Sequence, residues 1–150
     1  MITLDFDARR WDSRDDAEAS PVSSDPAAIE ETYFLVPFRF EIDGVELLEG
    51  GGHGRLLPLV GFACLLRQAL EAARSGGPAR LFLAGGGELR LSVHDDRVKL
   101  TSSTTRNTAA AQLDDMLAAS RALSVRARDV LLERFPEMRA HRDWSRWFEA

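Results

Sequence analysis

The 150-residue chain has little cysteine and little lysine: Cys64 and Lys99 are the only residues of their kinds. One cysteine excludes an intramolecular disulfide, and the N-terminus lacks the basic and apolar regions of a signal peptide, so we expect a cytoplasmic protein. No apolar run approaches the roughly 20 residues of a membrane-spanning helix. The balance of 45% hydrophobic and 29% charged residues predicts one globular domain over residues 1–150.

Motifs for catalysis and metal binding are also missing. The three histidines, His53, His94 and His141, have no metal-site spacing, and no nucleophile elbow or phosphate-loop motif is present. We expect Cys64 on the polar side of its helix as an incidental thiol, with no neighbour that would lower its pKa. The sequence therefore predicts a non-catalytic protein without a metal or a cofactor.

The negative charge is concentrated at the N-terminus. The first 31 residues hold nine acids and three bases, a net charge of −6, whereas the whole chain carries −5. Such a stretch repels nucleic acid and anionic membranes and attracts basic surfaces. Residues 8–28 have few bulky apolar side chains and are expected to form a long loop, a short irregular helix or a poorly ordered segment, held in place by Trp11. The predicted partner-binding residues are Asp12, Asp15, Asp16 and Glu18.

Two three-strand meanders are predicted from alternating apolar residues. The first comprises a short strand at the N-terminus and a hairpin over Tyr33–Leu48, whose Asp43-Gly44 pair is typical of a type I′ turn. Because Pro37 has no backbone N–H, we expect an edge strand or a bulge there. The second meander covers Ala79–Leu100, with loops at Gly85–Gly87 and Asp95-Asp96.

The register of the second meander can be predicted at both loops. A three-residue loop at Gly85–Gly87 would place Leu83 opposite Leu89 and Leu81 opposite Leu91. A two-residue turn at Asp95-Asp96 gives a compatible register, so that the leucines and valines of all three strands lie on one face. The opposite face is expected to be solvated. It carries Arg80, Phe82, Glu88, Arg90, Ser92, Arg97 and Lys99.

Helical spacing of apolar residues predicts two main helices, Pro58–Ser75 and Leu113–Phe135. Asn107 or Thr108 is expected to cap the second. A final short helix over 137–149 would group three aromatic residues, which we expect to dock on the domain rather than bind nucleic acid. They are Trp144, Trp147 and Phe148. The predicted fold is α+β: an antiparallel sheet of about six strands with the two main helices on one face.

An alternative function is a small enzyme or ligand-binding domain. Its pocket would lie between Gly50–Gly54 and the first main helix, with His53 as the ionisable residue. A flexible connector explains the same glycines without a ligand. His94 is explained by the hairpin turn that follows it.

The order of elements resembles small bacterial immunity proteins of polymorphic toxin systems. The resemblance is carried by the hairpin Tyr33–Leu48, the helix Pro58–Ser75, the hairpins Ala79–Leu100 and the helix Leu113–Phe135. It lies in architecture and size, and no motif transfers a functional residue. It implies a cytoplasmic, non-catalytic protein that blocks a toxin, and hence a protein partner with a basic surface.

Overall fold

The computed structural model describes residues 1–11, 25–50 and 53–148 of the chain. These residues form eight strands and four α-helices, which confirms the α+β class with antiparallel sheets. The strands are β1 (Ile2–Phe6), β2 (Leu35–Ile42), β3 (Val45–Glu46), β4 (Arg55–Pro58), β5 (Ala79–Phe82), β6 (Glu88–His94), β7 (Arg97–Ser102) and β8 (Thr108–Gln112). The helices are α1 (Pro26–Glu31), α2 (Leu59–Arg74), α3 (Leu113–Arg134) and α4 (Trp144–Phe148), with 3₁₀ turns at Ala8–Arg10 and Pro136–Ala140.

The prediction of one six-stranded sheet is wrong, because the strands form two separate four-stranded sheets. In sheet A, β2 is central and pairs with β1, β3 and β4; sheet B is the meander β5-β6-β7-β8. Each predicted meander gains one strand that local patterning missed. No strand was predicted at β4, which follows Gly54 and includes Pro58, the predicted start of the first main helix. β8 contains three consecutive alanines, whose side chains give no strand signal.

Helices α2 and α3 contact each other and both sheets. The predicted apolar stripe of α2 is buried, as are the inward-facing leucines of β5 and β6. Sheet A contributes Val36, Phe38, Phe40 and Ile42 of β2 to the same core, and Phe34, just before β2, is fully buried with them. None of the helices in the described ranges combines the length and the apolar character needed to cross a bilayer.

The two tight hairpin turns occur as predicted. Asp43 and Gly44 both have positive φ, as do Asp95 and Asp96, and Ile42 pairs with Val45. At the glycine loop the register differs: Leu81 pairs with Leu89, and the connection covers residues 83–87. A shift of two residues keeps every side chain on its predicted face, since the period of a strand is two.

Pro37 does not mark an edge strand. It lies in β2, between Leu56 of β4 and the end of β1, and its carbonyl accepts a hydrogen bond from the Asp7 N–H over 3.0 Å. Because Pro37 cannot donate in return, the Asp7 carbonyl is free to accept the Arg10 N–H over 3.1 Å. The backbone N–H that Pro37 lacks would have bonded to Asp7, and at that residue β1 has ended and the 3₁₀ turn begins.

The expected cap of α3 is also wrong. The helix begins at Leu113 after Gln112, which makes no side-chain capping bond. Thr108 belongs to β8, and the Asn107 side chain donates to the Glu46 carbonyl over 2.9 Å, which joins sheet B to sheet A. Arg55 links the sheets a second time, because its Nη2 donates to the carbonyls of Ala84 and Gly86 over 2.9 and 2.6 Å.

Candidate partner-binding site

The predicted contact residues Asp12, Asp15, Asp16 and Glu18 lie outside the described residues. The structure does show how the chain is held on either side of them. On the N-terminal side Trp11 is buried, with its ring 5.7 Å from that of Phe34 and 6.2 Å from that of Phe135. The Arg134 guanidinium lies 4.5 Å from the centre of the Trp11 ring and donates to the Ala8 carbonyl over 2.9 Å. Trp11 is therefore fixed in the core, and the rest of the segment that it was predicted to hold, residues 12–24, lies outside the described residues.

On the C-terminal side the chain enters α1 through a capped start. The Asp25 carboxylate accepts the Ala27 N–H over 2.8 Å, and Pro26 occupies the first helical position. Ile29 is fully buried. Phe34, which contacts Trp11, follows α1 by three residues, so the two flanks of segment 12–24 converge on one aromatic cluster.

Part of the N-terminal acidity is structural. Five of the nine acids lie in described residues, and four of these make contacts that hold the fold. Asp7 caps a 3₁₀ turn, Asp25 caps α1, Asp5 pairs with Arg126 over 2.8 Å, and Glu30 binds α4. A hydrogen bond from the Arg9 side chain lowers the pKa of Asp7. The predicted contact residues are thus the other acids of this region, apart from Glu31.

His53 borders an open groove of about 600 Å³, the alternative ligand site. The described lining residues come from β1, the first 3₁₀ turn and β2, and none comes from α2, so the predicted position against the first main helix is wrong. His53 is exposed, and its Nδ1 lies 3.3 Å from Nη1 of Arg10. The neighbouring Arg9 and Arg39 are paired with Asp7 and Glu41.

The residues of this groove are better suited to binding an anion than to acid–base catalysis. A general base needs a carboxylate or a similar group to orient it, whereas the partner that the structure gives His53 is a guanidinium. Arg10 and His53 together present N–H donors toward solvent. No group of three His, Cys, Asp or Glu side chains within the described ranges could hold a metal ion.

The other two histidines have structural surroundings. His94 is exposed beside Asp95 in the β6–β7 hairpin, as predicted. His141 is buried, with Nδ1 accepting the Asp143 N–H over 3.0 Å and its ring 4.7 Å from that of Trp147. It belongs to the packing of the C-terminal segment.

The aromatic C-terminal face docks on the domain, as predicted, but the predicted helix over 137–149 is wrong, because the 3₁₀ turn Pro136–Ala140 and α4 are separate elements. Trp144 and Trp147 are buried, and Phe148 is partly buried with its ring 4.6 Å from that of Trp144. The Trp147 indole donates to Glu30 of α1, and Arg67 of α2 donates to the carbonyls of residues 146 and 147 over 2.7 and 2.9 Å. The two tryptophans are therefore not available to stack on bases.

Cys64 is buried, contrary to the prediction of a polar helix side. α1 and α4 cover this side of α2, and the Gln68 side chain donates to Sγ over 3.4 Å. Removal from water raises the pKa of the thiol, an effect that the nearby Arg67 partly opposes. This environment suppresses thiolate chemistry.

Comparison of the chain with known protein families, curated proteins and solved structures finds no match. No residue role is therefore carried over from a relative, and the resemblance to immunity proteins stays a prediction. The strands β4 and β8 also change the architecture that suggested it, from two three-strand meanders to two four-stranded sheets.

Proposed function

We propose that this chain is a non-catalytic protein-binding domain, in its most concrete form an immunity or inhibitor protein that neutralises a toxin. The observation that supports it is the concentration of acids in a segment whose two flanks are anchored. Trp11 and Ile29 fix the chain on either side of residues 12–24, which hold four acids and one base. Anchored flanks reduce the conformational entropy that such a segment loses on binding.

The partner suited to this segment is a basic protein surface. Carboxylates on a loop can imitate the phosphates that a nucleic-acid-cleaving toxin binds, and charge complementarity of this kind speeds association and weakens with salt. Asp12, Asp15, Asp16 and Glu18 are the proposed contacts. A cytoplasmic location agrees with this role and is proposed with it.

The experiment starts from the gene. Where a large toxin gene lies beside it, the toxin domain is produced with and without this chain, and growth and complex formation are measured. The four-residue variant Asp12→Asn, Asp15→Asn, Asp16→Asn, Glu18→Gln should lose protection and show a smaller salt dependence of the association rate.

The matched control changes four exposed acids of α2, α3 and the following turn by the same total charge. They are Glu71→Gln, Asp129→Asn, Glu133→Gln and Glu137→Gln. The control should keep full protection. If the variant of residues 12, 15, 16 and 18 is folded and binds the toxin with unchanged affinity and salt dependence, the acidic segment does not carry the binding.

A ligand-binding role at the His53 groove is the second candidate, favoured by the convergence of Arg10 and His53. Titration with inorganic phosphate, followed through the His53 ring signals by NMR, tests it directly. Saturable shifts that Arg10→Gln abolishes would support an anion site, whereas linear shifts equal to those of His94 would argue against it.

A further inference from the structure

We propose that the outer face of sheet B, which the proposed function does not use, binds an acidic segment of a partner protein. Strand alternation places the side chains of Arg80, Phe82, Arg90, Arg97 and Lys99 on this face, opposite the buried leucines. Glu88 is the one acid among the strand residues that point outward from it. The face therefore carries four bases against one acid in a chain whose net charge is −5.

The bases are placed next to one another by the register. Arg80 of β5 lies directly opposite Arg90 of β6, and Lys99 of β7 lies opposite Ser92, diagonally adjacent to Arg90. Like charges directly opposite each other destabilise a sheet. Glu88 offsets part of this repulsion, because its carboxylate lies 2.8 Å from Nε of Arg90 and 3.9 Å from Nε of Arg80.

One carboxylate shared by two guanidiniums leaves positive charge in excess. Glu88 is only 15% exposed, whereas Arg80 and Arg90 are 57% and 61% exposed, so their remaining N–H groups face solvent. Lys99 is exposed as well and has no carboxylate within ion-pair distance among the described residues. Arg97 lies at the far end of the face. The pKa of the nearby Asp43 carboxyl is lowered mainly by its hydrogen bond with the N-terminal ammonium group, and to a smaller extent by the charge of Arg97.

Phe82 adds an apolar contact at the other end. Its side chain is 67% exposed in a domain whose other phenylalanines are buried or partly buried. An exposed aromatic residue beside arginines is the composition that protein interfaces favour at their centres. Arginine clusters also recognise acidic motifs through charge-assisted hydrogen bonds to carboxylates.

The size of the face indicates a segment rather than a whole domain. Four strands about 4.8 Å apart, with a rise of about 3.4 Å per residue, give a face of about 400 Å². That is about half of the ~800 Å² that each partner buries in a standard interface. A nucleic acid is disfavoured because single-stranded nucleic acids bind by stacking successive bases on aromatic side chains, and Phe82 offers one stacking position on this face.

The probe is a fluorescein-labelled peptide of alternating glutamate and leucine, followed by fluorescence anisotropy against the full chain at low salt. Phe82→Ala should weaken binding about tenfold through lost apolar contact. Lys99→Glu should weaken it about fivefold. Arg121→Glu, an exposed arginine of α3 reversed by the same charge, is the matched control and should leave affinity unchanged.

Both test residues are exposed, and thermal unfolding should confirm that each variant is folded. Tighter binding of a single-stranded oligonucleotide than of the peptide, with the same dependence on Phe82 and Lys99, would overturn the proposal in favour of a nucleic-acid surface. Peptide binding that neither variant weakens, or no binding at low salt, would also overturn it. None of these outcomes depends on segment 12–24. This proposal and the proposed function can therefore fail independently of each other.

Discussion

The indole Nε1 of Trp147 donates a hydrogen bond to the Glu30 carboxylate over 2.8 Å and thereby joins the last helix of the described chain to the first. The same carboxylate oxygen accepts from Arg146 over 2.6 Å. Trp147 is 1% exposed, so this bond lies in an environment where a missing partner is costly. The C-terminal segment is thus held by a polar contact as well as by its aromatic area.

Removing only the indole donor should destabilise the protein. Trp147→Phe keeps an aromatic ring and leaves Glu30 without one of its donors, so we expect a loss of about 1.5–3 kcal/mol in the free energy of unfolding. Urea denaturation measures it. Trp144→Phe is the matched control, because the buried Nε1 of Trp144 finds no acceptor in the described structure. That change should cost clearly less, and an equal cost for both would show that volume rather than the hydrogen bond decides.

Truncation after Pro136 tests the whole segment. It removes Met138, His141, Trp144 and Trp147, all buried, and single Trp→Ala changes in cores cost about 3–5 kcal/mol. The melting temperature should therefore fall sharply or the cooperative transition disappear. A truncated protein that keeps its melting temperature but loses self-association or a partner would identify the segment as an interface instead.

Arg67 holds α4 through its backbone carbonyls. Arg67→Met retains most of the side-chain stem but removes both donors to residues 146 and 147, and we expect a loss of about 1–3 kcal/mol in unfolding free energy. Arg74→Met on the same helix removes only an exposed ion pair with Glu71 and should cost at most about 1 kcal/mol. Equal effects in the two variants would contradict a specific role for Arg67.

The features that sequence predicts well here are local. The pairing of Ile42 with Val45 follows from the Asp43-Gly44 turn, and the apolar stripe of α2 follows from helical spacing. The division into two sheets is not local, because β4 reaches β2 across the β2–β3 hairpin. β8 follows β7 directly in the chain, but its three alanines do not alternate with polar residues. Periodicity carries no information about such pairings.

The candidate site shows the same limit. In the sequence the nine N-terminal acids form one acidic stretch. The structure shows that some of them, such as Asp25 and Glu30, make contacts that stabilise the fold. A capping role for Asp25 before Pro26 could have been predicted from the pair alone. The role of Glu30 could not, because its partners lie more than one hundred residues along the chain.

Gly61 is required by the close approach of α1 to α2. A Cβ at this position would lie 1.8 Å from the Glu30 carbonyl oxygen, which is backbone and cannot turn aside. Gly61→Ala should therefore displace α1 and lower the unfolding free energy, although alanine is the better helix former. Gly77→Ala, where a Cβ meets nothing within 4 Å, is the control and should leave stability nearly unchanged. A neutral Gly61→Ala would mean that α1 can shift without loss.

The buried thiol of Cys64 predicts how stability changes at alkaline pH. Burial raises the pKa of the thiol in the folded state, so the unfolded chain releases this proton at lower pH than the folded chain does. The contribution of Cys64 to stability is then complete below the ordinary thiol pKa of about 8.5 and is lost as pH rises from there through the raised folded-state value.

Urea denaturation between neutral and alkaline pH should show the free energy of unfolding falling more steeply for the natural chain than for Cys64→Ala. Identical slopes would show that Cys64 ionises equally in both states, and rapid labelling of the folded protein by a thiol reagent at neutral pH would contradict its burial.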